Sequence, residues 1–207
     1  MNATGTPSSD RSEAHARPGR ELARLAVMIS GGGRTLLNIH DAIKAGTLHA
    51  TISMVIASRD CLGVTRAAER GLPVRVIRGR ISMGSLEQVL HEQGIDWVVL
   101  AGYLSYLEIP ERFRERVVNI HPALLPAFGG PGMFGHHVHE AVIKSRAVES
   151  GCTVHLVNEK FDDGPIVLQR RCAVLPSDTP DSLAARVFEL ECQAYPEALR
   201  QLIGGSR

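Results

Sequence analysis

The run Leu25-Ala26-Val27-Met28-Ile29 passes straight into Ser30-Gly31-Gly32-Gly33-Arg34, and then into Thr35 to Ile43 with helical spacing. A strand with no polar residue must be covered on both faces, which a sheet sandwiched between helices provides. The alternation repeats, with strands at 51–57, 74–77, 96–100 and 117–120 and helices over about 64–70 and 85–93. This rhythm predicts an α/β fold: a single-domain open, mostly parallel twisted sheet with helices on both faces and right-handed crossovers. Beyond Pro126 the texture changes. Phe128 to Gly135 is too glycine-rich for a regular element and reads as a mobile loop, followed by a helix over 136–144. Strands at 153–157 and 166–169 are joined across Asp162, and a long helix covers 179–202. Asp178 or Thr179 is its expected N-cap, Pro180 its first residue, and Pro196 the place for a kink or break. Residues 1–22, rich in Ser, Thr, Pro, Gly and Arg without an apolar period, read as a disordered N-terminal tail, leaving 23–207 as one domain.

A net charge of +1 offers no basic stripe for nucleic acid or an anionic membrane surface, and aromatic residues make up only 4%, too few for a base-stacking face. No apolar run approaches the roughly eighteen residues of a membrane span. Cys61, Cys152, Cys172 and Cys192 form no C-x-x-C pair and read as reduced and mostly buried, consistent with a cytoplasmic enzyme. The expected partners are therefore small molecules, with the protein a monomer or homodimer.

Where the first strand meets the first helix, Gly31-Gly32-Gly33 would let an anion approach backbone N–H groups, with Arg34 and Thr35 adding charge and a hydroxyl. The segment is not G-x-x-x-x-G-K-[ST], and Leu36 stands where a dinucleotide fingerprint has its last glycine. A phosphate monoester fits it best; the alternative is a turn chosen for geometry alone.

Asn119-Ile120-His121-Pro122 closes the fifth strand, and residues two apart on a strand share a face. An amide and an imidazole aimed at one atom can stabilise charge on an acyl oxygen. Asp162, in Asp162-Asp163-Gly164-Pro165, can orient the imidazole, raise its pKa and help move protons.

Five segments in this order carry a resemblance: ISGGGRTL at 29–36, VVLAGYLSYL at 98–107, VNIHPALLP at 118–126, GCTVHLVNEKFDDGPIVLQ at 151–169 and ELECQAYP at 189–196. Over about residues 24–203 the chain resembles the phosphoribosylglycinamide formyltransferase family (GAR transformylases), folate-dependent enzymes of purine synthesis with a Rossmann-like formyltransferase catalytic domain. The resemblance implies transfer of a formyl group from the co-substrate 10-formyltetrahydrofolate to the amine of glycinamide ribonucleotide, without a metal. Asn119, His121 and Asp162 would be catalytic and His155 supporting. Gly32, Gly33, Arg34, Thr35 and Glu191 would bind the ribonucleotide. Leu104, Ser105, Tyr106, Leu107, Asn158, Asn119 and Asp162 would face the folate. Two departures stand out: Ser105 and Gly84 occupy positions where many relatives carry arginine, with Arg80 nearby, and the 128–135 stretch is longer than the common family loop.

His136-His137-Val138-His139-Glu140 offers ligand types for zinc, but the order differs from H-E-x-x-H, and a solvent-facing helix entry is the expected reading. Related formyl enzymes with nucleic-acid-binding or regulatory domains are disfavoured by the chain's length. A sugar-nucleotide N-formyltransferase stays open, because the glycine turn does not name the nucleotide. A catalytically silent folate- or nucleotide-binding protein would not need Asn119, His121 and Asp162 together.

Overall fold

The structure is a computed structural model that describes residues 22–205; the expected tail lies outside the described residues, Leu22 apart. Seven strands and five helices follow in the order β1 (Ala23–Ile29), α1 (Arg34–Lys44), β2 (Ala50–Ala57), α2 (Leu62–Glu69), β3 (Val74–Val76), α3 (Met83–Glu92), β4 (Trp97–Leu100), β5 (Val117–His121), α4 (His136–Lys144), β6 (Glu149–Leu156), β7 (Ile166–Ala173) and α5 (Pro180–Gly205). They form one sheet in the order β3-β2-β1-β4-β5-β6-β7. The first five strands are parallel, and β6 and β7 turn antiparallel. Because the chain leaves β3 and restarts at β4 on the other side of β1, the loops after β1 and β4 diverge and leave a crevice at their carboxyl ends.

The two-residue period of β1 sorts its side chains between two cores. Leu25, Val27 and Ile29 pack with α1 and with Leu183, Val187 and Leu199 of α5. Ala26 and Met28 pack on the opposite face with Leu86, Val89 and Leu90 of α3. Each buried Leu, Ile or Val contributes about 1.5–3 kcal/mol, so moving β1 by one residue would not expose its apolar set but would exchange the two cores.

Three expectations need adjusting. The sheet's last two strands are longer than their apolar runs, pairing from Glu149 opposite Ala173; backbone pairing, not side-chain pattern, extends a strand at a sheet edge. Helix α5 is uninterrupted at Pro196, which is buried between Tyr195 and the also buried Ala198 and Leu199. Packing against the sheet on both sides of the proline outweighs its missing hydrogen bond. Of the four free cysteines only Cys152 is buried, the other three being half-buried. At the start of α5, Thr179 is the cap: its hydroxyl accepts from the Ser182 N–H at 3.2 Å, and the Ser182 hydroxyl accepts from the Thr179 N–H at 3.0 Å.

Candidate active site

A cavity of about 560 Å³ opens in that crevice, a size suited to a small organic ligand. Its walls come from Arg34 and Thr35 at the start of α1, the 102–107 segment after β4, the end of β5, the 130–136 loop, the 158–162 loop and α5. Arg34, Thr35, Leu104, Ser105, Tyr106, Leu107, Asn119, His121, His155, Asn158, Asp162 and Glu191 all face it. Gly32 and Gly33 do not; they shape the turn behind Arg34. Gly33 holds φ +72° and lies so close to α2 that a Cβ would sit 2.8 Å from the Gly63 Cα. Its lack of a side chain therefore serves helix packing and backbone shape.

Several buried groups fix these walls. The Ser30 hydroxyl meets the Ser58 hydroxyl at 2.7 Å and accepts the Leu104 N–H at 2.9 Å, tying the 102–107 segment to the end of β1. The buried Tyr195 hydroxyl lies 2.9 Å from the Leu100 carbonyl and 3.0 Å from that of Val118. It anchors α5 across β4 and β5 and so sets Glu191, one turn earlier, against the cavity. Thr153 donates to the Ala123 carbonyl at 2.7 Å and accepts the Leu125 N–H at 3.0 Å, holding the chain as it leaves His121.

At the centre, Asn119 and His121 project from β5, His155 from β6 and Asp162 from the following loop. Asp162 bridges the two imidazoles: Oδ2 is 3.5 Å from His121 Nδ1 and Oδ1 is 3.5 Å from His155 Nε2. The Gly130 N–H donates to Asp162 Oδ2 at 3.0 Å, joining the glycine-rich loop to the same carboxylate. His155 Nδ1 donates to the Leu156 carbonyl at 2.9 Å, and its Nε2 accepts from Asn119 Nδ2 at 3.1 Å. His121 Nε2 donates to the Phe128 carbonyl at 2.8 Å. Both rings are buried, at 3% exposure for His121 and 1% for His155.

That burial outweighs Asp162, which raises the His121 pKa as expected. Desolvation pulls the imidazole below its ordinary value, and Asp162 and the Phe128 carbonyl offset this only in part. Burial pushes the Asp162 carboxyl up, but the facing His155 and His121 rings and the Gly130 N–H outweigh it, so its pKa falls. Asp162 and Phe128 both sit in the left-handed region, at φ 54° and 57°, a strained conformation for residues with side chains.

Toward the glycine turn, the Arg34 guanidinium lies 3.6 Å from the centre of the Phe188 ring. Burial drives the Glu191 carboxyl up to about 7, against the pull of Arg34. At the other end, Tyr106 and Phe161 meet edge to face, 5.7 Å apart, closing the gap between the 104–107 and 158–162 segments. Arg80 lies over Tyr106 and pairs with Glu108 at 2.6 Å. Phe161 and Phe188 also line the cavity and were not named as site residues, while His139, expected to face solvent, is buried against it. Phe188 lies three residues before Glu191 on one helix, a spacing that would have flagged it.

The histidine-rich entry to α4 is taken up by carboxylates: His136 lies 3.2 Å from Glu140 and 3.3 Å from Asp181. Among the described residues no group of three His, Cys, Asp or Glu side chains is arranged to hold a metal ion, and no helix is long and apolar enough to cross a membrane.

Residues 23–199 match the family described as formyl transferase. The chain is 40% identical over 186 residues to the chloroplastic phosphoribosylglycinamide formyltransferase of Arabidopsis thaliana, covering 85% of this chain but 64% of that protein's length. It is 34% identical to the phosphoribosylglycinamide formyltransferase of Haemophilus influenzae, covering 89% of each. The crystal structure of glycinamide ribonucleotide transformylase 1 from Symbiobacterium toebii superposes with a TM-score of 0.81 at 34% identity, again over 89% of each chain. With its sheet order, cavity and Asn–His–Asp centre already in place, the chain belongs to the formyl transferase family.

Proposed function

We propose that this protein is a phosphoribosylglycinamide formyltransferase, moving a formyl group from 10-formyltetrahydrofolate to the amine of glycinamide ribonucleotide in purine biosynthesis. The names of the relatives at 34–40% identity support the acceptor. One observation carries the chemistry: a single cavity joins Arg34 and Thr35 to the 104–107 wall, with Asn119, His121, His155 and Asp162 converging between them. In this reading Arg34 and Thr35 take the ribonucleotide phosphate, on the turn that Gly32 and Gly33 shape, and Glu191 its glycinamide. Leu104, Ser105, Tyr106, Leu107 and Asn158 receive the pterin. The domain is residues 23–207, and the protein works in the cytoplasm as a monomer or homodimer.

Direct transfer needs an oxyanion site and a proton path, and no covalent enzyme intermediate. Asn119 Nδ2 commits one hydrogen to His155, leaving the second for the formyl oxygen. The Nε2–H of His121 becomes available once the Phe128 carbonyl yields it, which brings the 128–135 loop into the reaction. The neutral amine of the glycinamide attacks the formyl carbon, and the carbonyl oxygen becomes negative. Asp162 relays the amine proton to His121 Nδ1, 3.5 Å away on a ring whose pKa burial lowers, and then stabilises the imidazolium. The proton then passes to the folate nitrogen as its bond to the formyl carbon breaks. Atoms and charge balance without a metal.

The test is purified protein with both substrates, read by formation of formylated ribonucleotide. Absence of that product, with formylation of an amino-sugar nucleotide instead, would replace the acceptor assignment.

A further inference from the structure

Arg34, Arg59 and Arg66 surround the glycine turn, and none of the three makes an ion pair among the described residues. Arg78, Arg80, Arg114, Arg170, Arg171 and Arg186 each pair with a carboxylate. Arg59 Nε donates to the Ser30 carbonyl at 2.6 Å, and Arg66 Nη1 donates to the Gly32 carbonyl at 2.6 Å. Helix α2 delivers Arg66 there because Gly63 is pressed onto the turn. Its N–H donates to the Gly31 carbonyl at 3.0 Å, and a Cβ on it would lie 2.7 Å from the same oxygen. Arg34 lies over the Phe188 ring, 3.6 Å from its centre. Between Arg34 and Arg66 runs a shallow cleft that shares Arg34 and Phe188 with the main cavity.

Three unpaired guanidinium groups on one turn repel one another, and a bound dianion relieves that repulsion. Asp41 also lines the cleft, but it is 66% exposed and screened by solvent, so it opposes an anion there only weakly. Forked guanidinium groups suit phosphate oxygens, which accept two parallel hydrogen bonds from one fork. We propose that Arg66 is a second phosphate-binding residue, gripping the substrate's phosphate together with Arg34 where the cleft meets the cavity. This rests on the ribonucleotide acceptor assigned above. Arg59, which clamps the Ser30 carbonyl, is a positioning residue for the same turn.

Arg66→Gln keeps an N–H for the Gly32 carbonyl while deleting the charge, and Arg66→Lys keeps the charge while losing the fork. With inorganic phosphate as probe, followed by NMR titration of the ligand-free protein, Arg66→Gln should weaken binding about tenfold and flatten its salt dependence. Arg66→Lys should fall between Arg66→Gln and wild type. In turnover, KM for glycinamide ribonucleotide should rise about tenfold in Arg66→Gln, while KM for the dephosphorylated riboside stays put. Equal losses for both acceptors would make Arg66 a brace for the turn only, and unchanged phosphate affinity would remove it from the site; either result overturns the proposal. The phosphate titration needs no formyl donor, so a wild-type protein that binds phosphate but transfers no formyl group would sink the transferase reading and leave this one standing.

Discussion

At the glycine turn, Ser30 to Thr35 follow one another along the chain, and the exposed Arg59 and half-buried Arg66 gather around their backbone. At the reacting centre, Asn119, His121, His155 and Asp162 come from β5, β6 and a loop, and the two imidazoles are almost wholly buried. The first region handles charge with solvated cations whose protonation never changes. The second handles charge with buried groups whose protonation is set by competition, desolvation against Asp162. Recognition of a permanent anion tolerates exposure, whereas a charge that exists only in the transition state is best met in a dry, preorganised site.

That contrast breaks most directly at His121. His121→Ala should lower kcat about 100- to 1000-fold with little change in KM for the ribonucleotide, measured by steady-state formyl transfer. A loss mainly in KM would make both ends of the cavity binding sites. Asp162→Asn should cost about tenfold or more in kcat and displace the pH profile. Asp162 raises the pKa of His121, so removing its charge lets that pKa fall further, and the acid limb of kcat/KM should move to lower pH. An unmoved limb would detach Asp162 from the imidazole it faces.

The same contrast explains what could be read in advance. The parallel strands declare themselves because continuous apolar runs such as Leu25–Ile29 have one solution, burial on both faces. Asn119 and His121 are legible as neighbours on one strand face, and the pairing of Asn119 with His155 across β5 and β6 follows once the antiparallel register is known. The protonation of His121 was not legible. Its dominant influence is loss of water, which depends on the Phe128 carbonyl and the loop folded over it, and no local pattern encodes that. Gly33 was legible as a required glycine, but one of its reasons was not: its close neighbour is Gly63 on α2, thirty positions away. Arg66 was invisible for the same reason, since it reaches the turn from another helix.

At the glycine turn the expected effects are smaller. Arg34→Ala should raise KM for the ribonucleotide about tenfold, with the larger part of the change in KM and not in kcat, and should not alter the response to the dephosphorylated riboside. An equal rise for both acceptors would mean that Arg34 serves Phe188 packing, not the anion.

Glu191 tests whether even the solvated end carries a burial penalty. Its carboxyl is driven by burial up to about 7, from an ordinary 4.5, with Arg34 offsetting part of the rise. Between those values the unfolded chain has released this proton while the folded chain still holds it. The folded state then binds more protons than the unfolded one, so stability falls as pH rises through this window and levels off above about 7. Glu191→Gln removes the titration. In ligand-free protein the melting temperature of Glu191→Gln minus that of wild type should therefore grow from pH 4.5 to 7, on a scale on the order of 1 kcal/mol for a partly exposed carboxyl. Adding Arg34→Ala takes away the offset and should extend the window above pH 7. A difference that stays flat with pH would show the carboxyl to be hydrated, and the two ends of the cavity would then differ even more sharply than burial of Glu191 implies.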